Sequence, residues 1–135
     1  MNRLKRALAI LLVCCGLPVS GADATGRFML GGGAGGVQCP DFVAVMERAR
    51  SSNIGSAQYV EETIGFTMFL LGFQTGYNMS TPDTFDIFPG AEKNYSLLST
   101  VENFCRANPT KRFGDGVTAL AIEVYPKRQP SGQSQ

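Results

Sequence analysis

The apolar residues of this chain recur at helical spacing in four stretches. The first begins near Cys39, where Pro40 and Asp41 suit the first helical turn through a fixed φ and a favourable negative charge. Its apolar face follows at i, i+3, i+4 and i+7, namely Phe42, Val45, Met46 and Ala49. The third stretch, about 94–107, and the fourth, about 112–125, also carry one apolar face each. Because no stretch alternates as a strand does, the pattern predicts an all-α, single-domain bundle of about four helices.

The second stretch, about 56–77, is apolar nearly all round, which is typical of a central, buried helix. Gly65, Gly72 and Gly76 recur at spacings of seven and four, so they line one face. Each costs up to about 1 kcal/mol relative to alanine in a helix, and a closely packed neighbouring helix would offset that cost. The apolar run bracketed by charged and polar residues is too short to span a membrane, so stable membrane insertion is not expected.

The two ends of the chain lack the amphipathic helical spacing of the four central stretches. Residues 1–24 combine a cationic start, a short apolar run and small residues, which predicts a secretory signal peptide. Cleavage fits after Ala22 or Ala24, with Ala24 preferred. The remaining segments are predicted as a flexible glycine-rich leader at 25–38, a helical domain at 39–126 and a disordered tail at 127–135. The protein is therefore expected in the periplasm or outside the cell.

Composition excludes several classes of function. Removal of residues 1–24 takes away three basic residues and one acidic residue, which leaves 9 basic and 10 acidic residues and a net charge of −1. Such a chain lacks the basic surface that nucleic acid requires. The chain has no histidine, the commonest general base and metal ligand. We therefore expect no catalytic residue, no metal and no cofactor, although Asp83 and Asp86 leave a carboxylate-based enzyme as a minor alternative.

Two cysteines remain after signal removal, Cys39 and Cys105, because Cys14 and Cys15 lie in the predicted signal peptide. In an exported protein two cysteines most simply form one disulfide. The predicted third helix places Cys105 on its apolar face, where a bridge to Cys39 at the start of the first helix is plausible. Closing so long a loop would stabilise the fold by about 4 kcal/mol in the chain-entropy account.

The long loop at 78–93 contains the best candidate for a contact surface. Its apolar residues either form an exposed binding patch or lie back over the core, and both interpretations stay open. The patch would comprise Phe85, Ile87 and Phe88, with Asp83 and Asp86 as its polar rim. A different hypothesis is a carrier of a small apolar ligand, held in a cavity near the glycine face. That cavity would be lined by Phe66, Met68, Phe69 and Phe73.

Short motifs add a resemblance to known families. The stretches "CPDF", "GFQTGYN" and "ENFCRANP" resemble the HdeA-like periplasmic acid-stress chaperones, and "VENFCRANPTKRFGDGVTALAIEVYP" is similar to the C-terminal half of Tai-type immunity proteins. The first resemblance implies a helical protein with one disulfide that holds unfolded client proteins. The second implies a protein that neutralises a secreted, cell-wall-degrading toxin. Both imply a non-enzymatic protein that binds another protein, and a homodimer stays open.

Overall fold

The computed structural model describes residues 29–90 and 95–132, and within them it confirms the predicted all-α fold. Two short 3-10 turns, Gly33–Gly36 and Tyr125–Lys127, flank the helices at either end of the domain. The four α-helices are α1 (Cys39–Ala49), α2 (Ala57–Ser80), α3 (Tyr95–Ala107) and α4 (Phe113–Val124). The predicted signal peptide, 1–24, lies outside the described residues.

Local signals in the sequence account for the helix starts. Pro40 occupies the first turn of α1, where its missing N–H is not needed. Ser56 caps α2 by accepting a hydrogen bond from the Tyr59 backbone N–H at 3.2 Å. At α4 the Asp115 carboxylate accepts the Arg112 backbone N–H at 2.9 Å, one half of a capping box.

The core lies where α1 packs against α2 and α3, and where α3 packs against α4. Its centre is a cluster of three rings from α1, α2 and α4: Phe42 lies 4.7 Å from Phe66 and 4.6 Å from Phe113, centroid to centroid. All three rings are buried, and the tilted and edge-on arrangements are those that aromatic pairs prefer.

The predicted pairing of Cys39 with Cys105 is confirmed. The two Cα atoms lie 4.8 Å apart and both side chains are buried. The bridge joins the first residue of α1 to the last turn of α3, 66 positions along the chain. The Cys39 backbone N–H also donates to the Lys111 carbonyl at 2.9 Å, which fixes the α3–α4 connection against the start of α1.

The described parts of the leader and the tail are packed, in contrast to the expected flexible leader at 25–38 and disordered tail at 127–135. Gly35 is buried with its Cα facing the Phe69 ring, where a Cβ would overlap the ring. The leader is also tied to α4, because the Phe113 N–H donates to the Val37 carbonyl at 2.9 Å. In the tail, Gln129 pairs with Asp86 through backbone hydrogen bonds of 2.8 and 3.2 Å. Glycine composition indicated flexibility, but it also permits this close approach.

The glycines of α2 do not pack closely, contrary to the prediction. Gly65, Gly72 and Gly76 are exposed, and a Cβ built on any of them would have no neighbouring atom within 4 Å. The close helix contact lies instead between α3 and α4. A Cβ on Gly116 would lie 2.9 Å from side-chain carbons of both Phe104 and Val101. Helix α2 is therefore not a central buried helix, because only one of its faces is covered.

Candidate functional site

The loop that follows α2 divides the predicted contact patch. Phe85 is 58% exposed, whereas Ile87 and Phe88 are buried in the core. Of the two interpretations left open by the sequence, the one in which all three residues form an exposed patch is therefore wrong, and the one in which they lie back over the core holds for Ile87 and Phe88. Hydrogen bonds explain the difference: the Ile87 N–H donates to the Asn78 side-chain oxygen at 2.9 Å, and the Phe88 N–H donates to an Asp86 carboxylate oxygen at 3.0 Å. These bonds satisfy the loop backbone while its apolar side chains turn inward.

Asp83 and Asp86, the predicted polar rim, hold the loop in place. The Asp86 carboxylate accepts a hydrogen bond from Gln74 Nε2 of α2 at 2.6 Å in addition to that from Phe88. Asp83 has a positive φ of 50°, which aspartate tolerates better than most residues, and its carboxylate lies 3.5 Å from Arg128. Each carboxylate is thus engaged with a partner outside the loop, Gln74 of α2 for Asp86 and Arg128 of the tail for Asp83, and the two carboxylates do not point at a common site.

Among the described residues, most of the exposed large apolar side chains lie on α2. Five side chains on one side of this helix are exposed, and we call this surface the α2 face. Its members are Val60, Ile64, Met68, Leu71 and Met79. From Val60 to Met79 the face is about 28 Å long at the 1.5 Å rise of a helix. Val60, Ile64, Met68 and Leu71 follow one another at spacings of three or four residues, whereas Met79 lies about two turns further along the helix. Grouped exposed apolar side chains are characteristic of interaction sites, whereas single exposed apolar residues are common.

The α2 face has an uneven profile. One row of residues, spaced by four, crosses it and is exposed throughout; it consists of Val60, Ile64, Met68, Gly72, Gly76 and Ser80. Residues at this spacing form a surface ridge of a helix. The first half of the row carries branched or long apolar side chains, and the second half carries glycine or serine. Because four residues turn a helix by about 40° more than one full turn, the row winds around α2, and its glycine and serine half lies to one side of the α2 face.

Charge is nearly absent from the same helix. Helix α2 contains no lysine or arginine, and its two acidic residues, Glu61 and Glu62, lie near its N-terminus. Glu62 pairs with Arg48 of α1 at 3.7 Å. The rest of the α2 face offers a partner apolar contact with few polar groups to fix its orientation.

A second notable group is an ionic cluster between α1 and α3. The Glu102 carboxylate is 1% exposed and accepts hydrogen bonds from Arg50 and Arg106. Arg106 donates to Glu102 through Nη2 at 2.7 Å and also reaches Glu47 of α1 at 2.9 Å. The two guanidinium groups are close to half exposed, so the cluster has a buried anion at its centre and hydrated cations at its edge. We call these four residues the Glu102 cluster.

Among the described residues, neither of the two clefts is lined by the residues named for the apolar-ligand cavity. Phe66 is packed among core rings, Phe69 contacts Phe113 at 5.7 Å, and Met68 is 58% exposed. Two clefts lie elsewhere among the described residues. One, of about 220 Å³, is beside Phe88 and Val124, and another, of about 310 Å³, lies between α3 and α4 next to Phe104 and Leu120. Within 29–90 and 95–132 no group of three potential metal-binding side chains comes together.

Sequence reasoning missed both the α2 face and the Glu102 cluster. A helical projection of α2 shows apolar residues on every side, so it does not indicate which side the other helices cover. Glu102 gave a clearer signal: it lies between Val101 and Cys105 on the apolar side of α3, with Arg106 four residues later. An acidic residue at such a position requires a partner.

Comparison with known proteins gives no relative. No protein-family model matches the chain, and no curated protein or solved structure matches it significantly. None of the helices in the described part of the chain combines the length and apolar character needed to cross a bilayer.

Proposed function

We propose that this protein is an exported, non-enzymatic helical protein that binds other proteins through the α2 face, in the manner of HdeA-like stress chaperones. The observation that carries the proposal is the row of exposed apolar side chains on an intact helix of 24 residues. Leaving such a surface in water is unfavourable by about 25 cal/mol per Å² of apolar area, so covering it provides a driving force for binding.

The chemistry of the face favours partners of varied sequence. Met68 and Met79 are flexible and polarisable, and methionine-rich surfaces adapt to different apolar partners. A surface that recognises one protein usually adds aromatic or arginine anchors, and none of the five side chains of the α2 face is aromatic or an arginine. This composition favours the capture of unfolded clients over the neutralisation of one toxin.

The Glu102 cluster supports a response to acid. The Arg50–Glu102 ion pair links the end of α1 to α3 only while the buried carboxylate is ionised, and protonation would leave Arg50 and Arg106 facing a neutral acid. Removing one partner from a buried ion pair is strongly destabilising. Acid should therefore loosen the contact between these helices and expose more apolar surface for clients.

The test measures suppression of client aggregation by the oxidised, exported protein from neutral pH down to about pH 2. The variant Met68→Glu places a charge in the middle of the α2 face, and Ile122→Glu is the matched control, because Ile122 is 68% exposed on α4. We expect suppression by the native protein and the control, and a large loss with Met68→Glu. Equal suppression by both variants would contradict a role for the α2 face. No suppression at any pH, together with stoichiometric binding of one toxin, would favour the immunity alternative.

A further inference from the structure

We propose that residues 29–36 form an autoinhibitory strap over a latent client-binding groove between α2 and α4. The inference rests on the proposed client-binding role of the protein and concerns how that role is regulated. Through its 3-10 turn the strap packs against both helices, whereas the backbones of α2 and α4 make few close approaches to each other. The strap therefore fills a gap that the two helices leave between them.

The strap fits this groove closely because glycine occupies the points of contact. A Cβ on Gly35 would lie 2.2 Å from a carbon of the Phe69 ring, so the backbone of the strap rests directly against α2. On the other side, a Cβ on Gly114 of α4 would lie 2.8 Å from a methyl carbon of Leu30 and 2.9 Å from the Gly35 carbonyl oxygen. The groove thus accommodates a segment of small residues with one branched apolar side chain.

The protein holds the strap only weakly. Five of its eight residues are glycine, which loses more conformational freedom on ordering than any other residue. Within 29–90 and 95–132, the backbone hydrogen bonds that tie the leader to α4 begin only at Val37, so the strap itself is held by apolar contact. Segments with few buried contacts and no such bonds open locally at a low free energy.

Release of the strap would enlarge the apolar surface of α2. It uncovers the side of the Phe69 ring against which Gly35 rests. Gly65 and Gly72 lie four residues before and three residues after Phe69, so they share its side of the helix. Both glycines are exposed and have open space around them, which leaves a flat strip between Phe69 and Met68 of the α2 face. The uncovered groove therefore continues the α2 face.

The occupant that replaces the strap is a segment of an unfolded client chain. The groups that the strap contacts, Phe69 of α2 and Gly114 of α4, are uncharged, and residues 29–37 carry no ionisable side chain. An unpaired charge buried there would be unfavourable, so the groove selects uncharged segments that resemble the strap. Because a client binds only after the strap leaves, the strap lowers the apparent affinity by the fraction of molecules in which the groove is open.

The first experiment compares Gly35→Glu with Gly36→Glu in the oxidised, exported protein at neutral pH, where the Glu102 cluster is intact. Gly35→Glu places a carboxylate against the Phe69 ring and drives the strap off, whereas Gly36→Glu adds the same charge in open space. We expect chymotrypsin to cleave after Leu30 about tenfold faster in Gly35→Glu than in Gly36→Glu, with the same helix content by circular dichroism. Gly35→Glu should also suppress client aggregation at about a threefold lower concentration.

A second pair of variants tests the strap without adding a charge. Leu30→Ser removes the side chain that contacts Gly114, and Met29→Ser removes a neighbouring side chain that is 94% exposed. Each variant takes one apolar side chain from the leader, but only Leu30→Ser weakens the contact with α4. We expect Leu30→Ser to increase client suppression and the binding of an apolar dye at neutral pH, and Met29→Ser to behave as the native protein does.

The outcomes separate this inference from the proposed function. Faster cleavage of Gly35→Glu without a gain in client suppression would show that the strap covers no client site, which overturns the inference. Equal cleavage of Gly35→Glu and Gly36→Glu would also overturn it, because the contact at Gly35 would not hold the strap. Either result leaves the proposed function in place if Met68→Glu still loses the client protection of the native protein. A lack of client suppression by the native protein at any pH, and by Gly35→Glu, would refute both.

Discussion

The buried carboxylate of Glu102 allows the sharpest test of the fold. The substitution Glu102→Gln keeps the size and shape of the side chain and removes its negative charge. In the native protein the carboxylate receives two hydrogen bonds from Arg106, at 3.1 and 2.7 Å, and another from Arg50. The glutamine retains one acceptor oxygen, but its amide group would point N–H donors at a guanidinium.

The structure sets the expected loss of stability for Glu102→Gln. A hydrogen bond to a charged group contributes about 1.5–3 kcal/mol, and removing one partner from a buried pair costs about 3–5 kcal/mol. Here both guanidinium groups are close to half exposed and can recover hydration, which places the expected loss near 2–3 kcal/mol. Glu47→Gln is the matched control. It removes a carboxylate bonded to the same Arg106 but more than half exposed, and exposed pairs contribute at most about 1 kcal/mol.

Urea unfolding of the oxidised proteins at neutral pH, followed by circular dichroism, measures both losses. We expect a clear drop in midpoint for Glu102→Gln, with an unchanged denaturant slope, and a small one for Glu47→Gln. Since protonation removes the same charge, the native protein should approach the stability of Glu102→Gln as the pH falls. If the two variants lose the same free energy of unfolding within about 0.5 kcal/mol, burial does not make the contribution of Glu102 to stability larger than that of Glu47, and the reasoning is refuted.

Three further predictions concern the Cys39–Cys105 disulfide, two glycines in different surroundings and a buried tyrosine. Cys105→Ser should lower the free energy of unfolding by about 4 kcal/mol, and reductant should leave that variant's urea midpoint unchanged while lowering the native one. Gly116→Ala should destabilise the protein by about 1–3 kcal/mol, because its Cβ would lie 2.9 Å from side-chain carbons of Phe104 and Val101. Gly65→Ala, at a position with open space around it, should stabilise the protein by about 0.5–1 kcal/mol. Thermal unfolding that ranks the two variants in the opposite order would contradict the packing described. Burial raises the pKa of Tyr59 above its ordinary value of 10.0, with Arg50 opposing the shift, so the folded state favours the neutral phenol. The contribution of this shift to the free energy of unfolding is complete below pH 10 and is lost as the pH rises further. The free energy of unfolding of Tyr59→Phe should therefore fall less between neutral and alkaline pH than that of the native protein.

All four helices were predictable from the sequence, but for α2 the side that is buried was not. Residues such as Phe42 and Met46 on α1, or Val101 on α3, recur at helical spacing, and burial of that stripe determines how each helix packs. In α2 the apolar residues surround the helix, so spacing cannot indicate that Phe66 is covered while Met68 is exposed. That choice depends on where the other helices lie.

The loop after α2 was unpredictable for a different reason. Phe85, Ile87 and Phe88 follow one another without regular backbone geometry, so no period relates their directions. Their burial is decided by tertiary hydrogen bonds from Asn78 and Asp86 to the loop backbone. Spacing likewise suggested close packing at Gly72 and Gly76, whereas the close contact occurs at Gly116, where Phe104 and Val101 of α3 face α4.

Helices α1 and α3 are joined by links of two kinds. The Cys39–Cys105 disulfide is indifferent to protonation, whereas the Arg50–Glu102 and Arg106–Glu47 contacts require ionised carboxylates. We therefore expect acid to weaken the ion pairs and leave the disulfide, so that the chain stays closed while the packing between the two helices loosens. A disulfide that shortens the unfolded chain also limits how far such loosening can extend and favours return to the same fold. The combination suits a binding protein whose apolar surface has to increase in acid and be covered again at neutral pH.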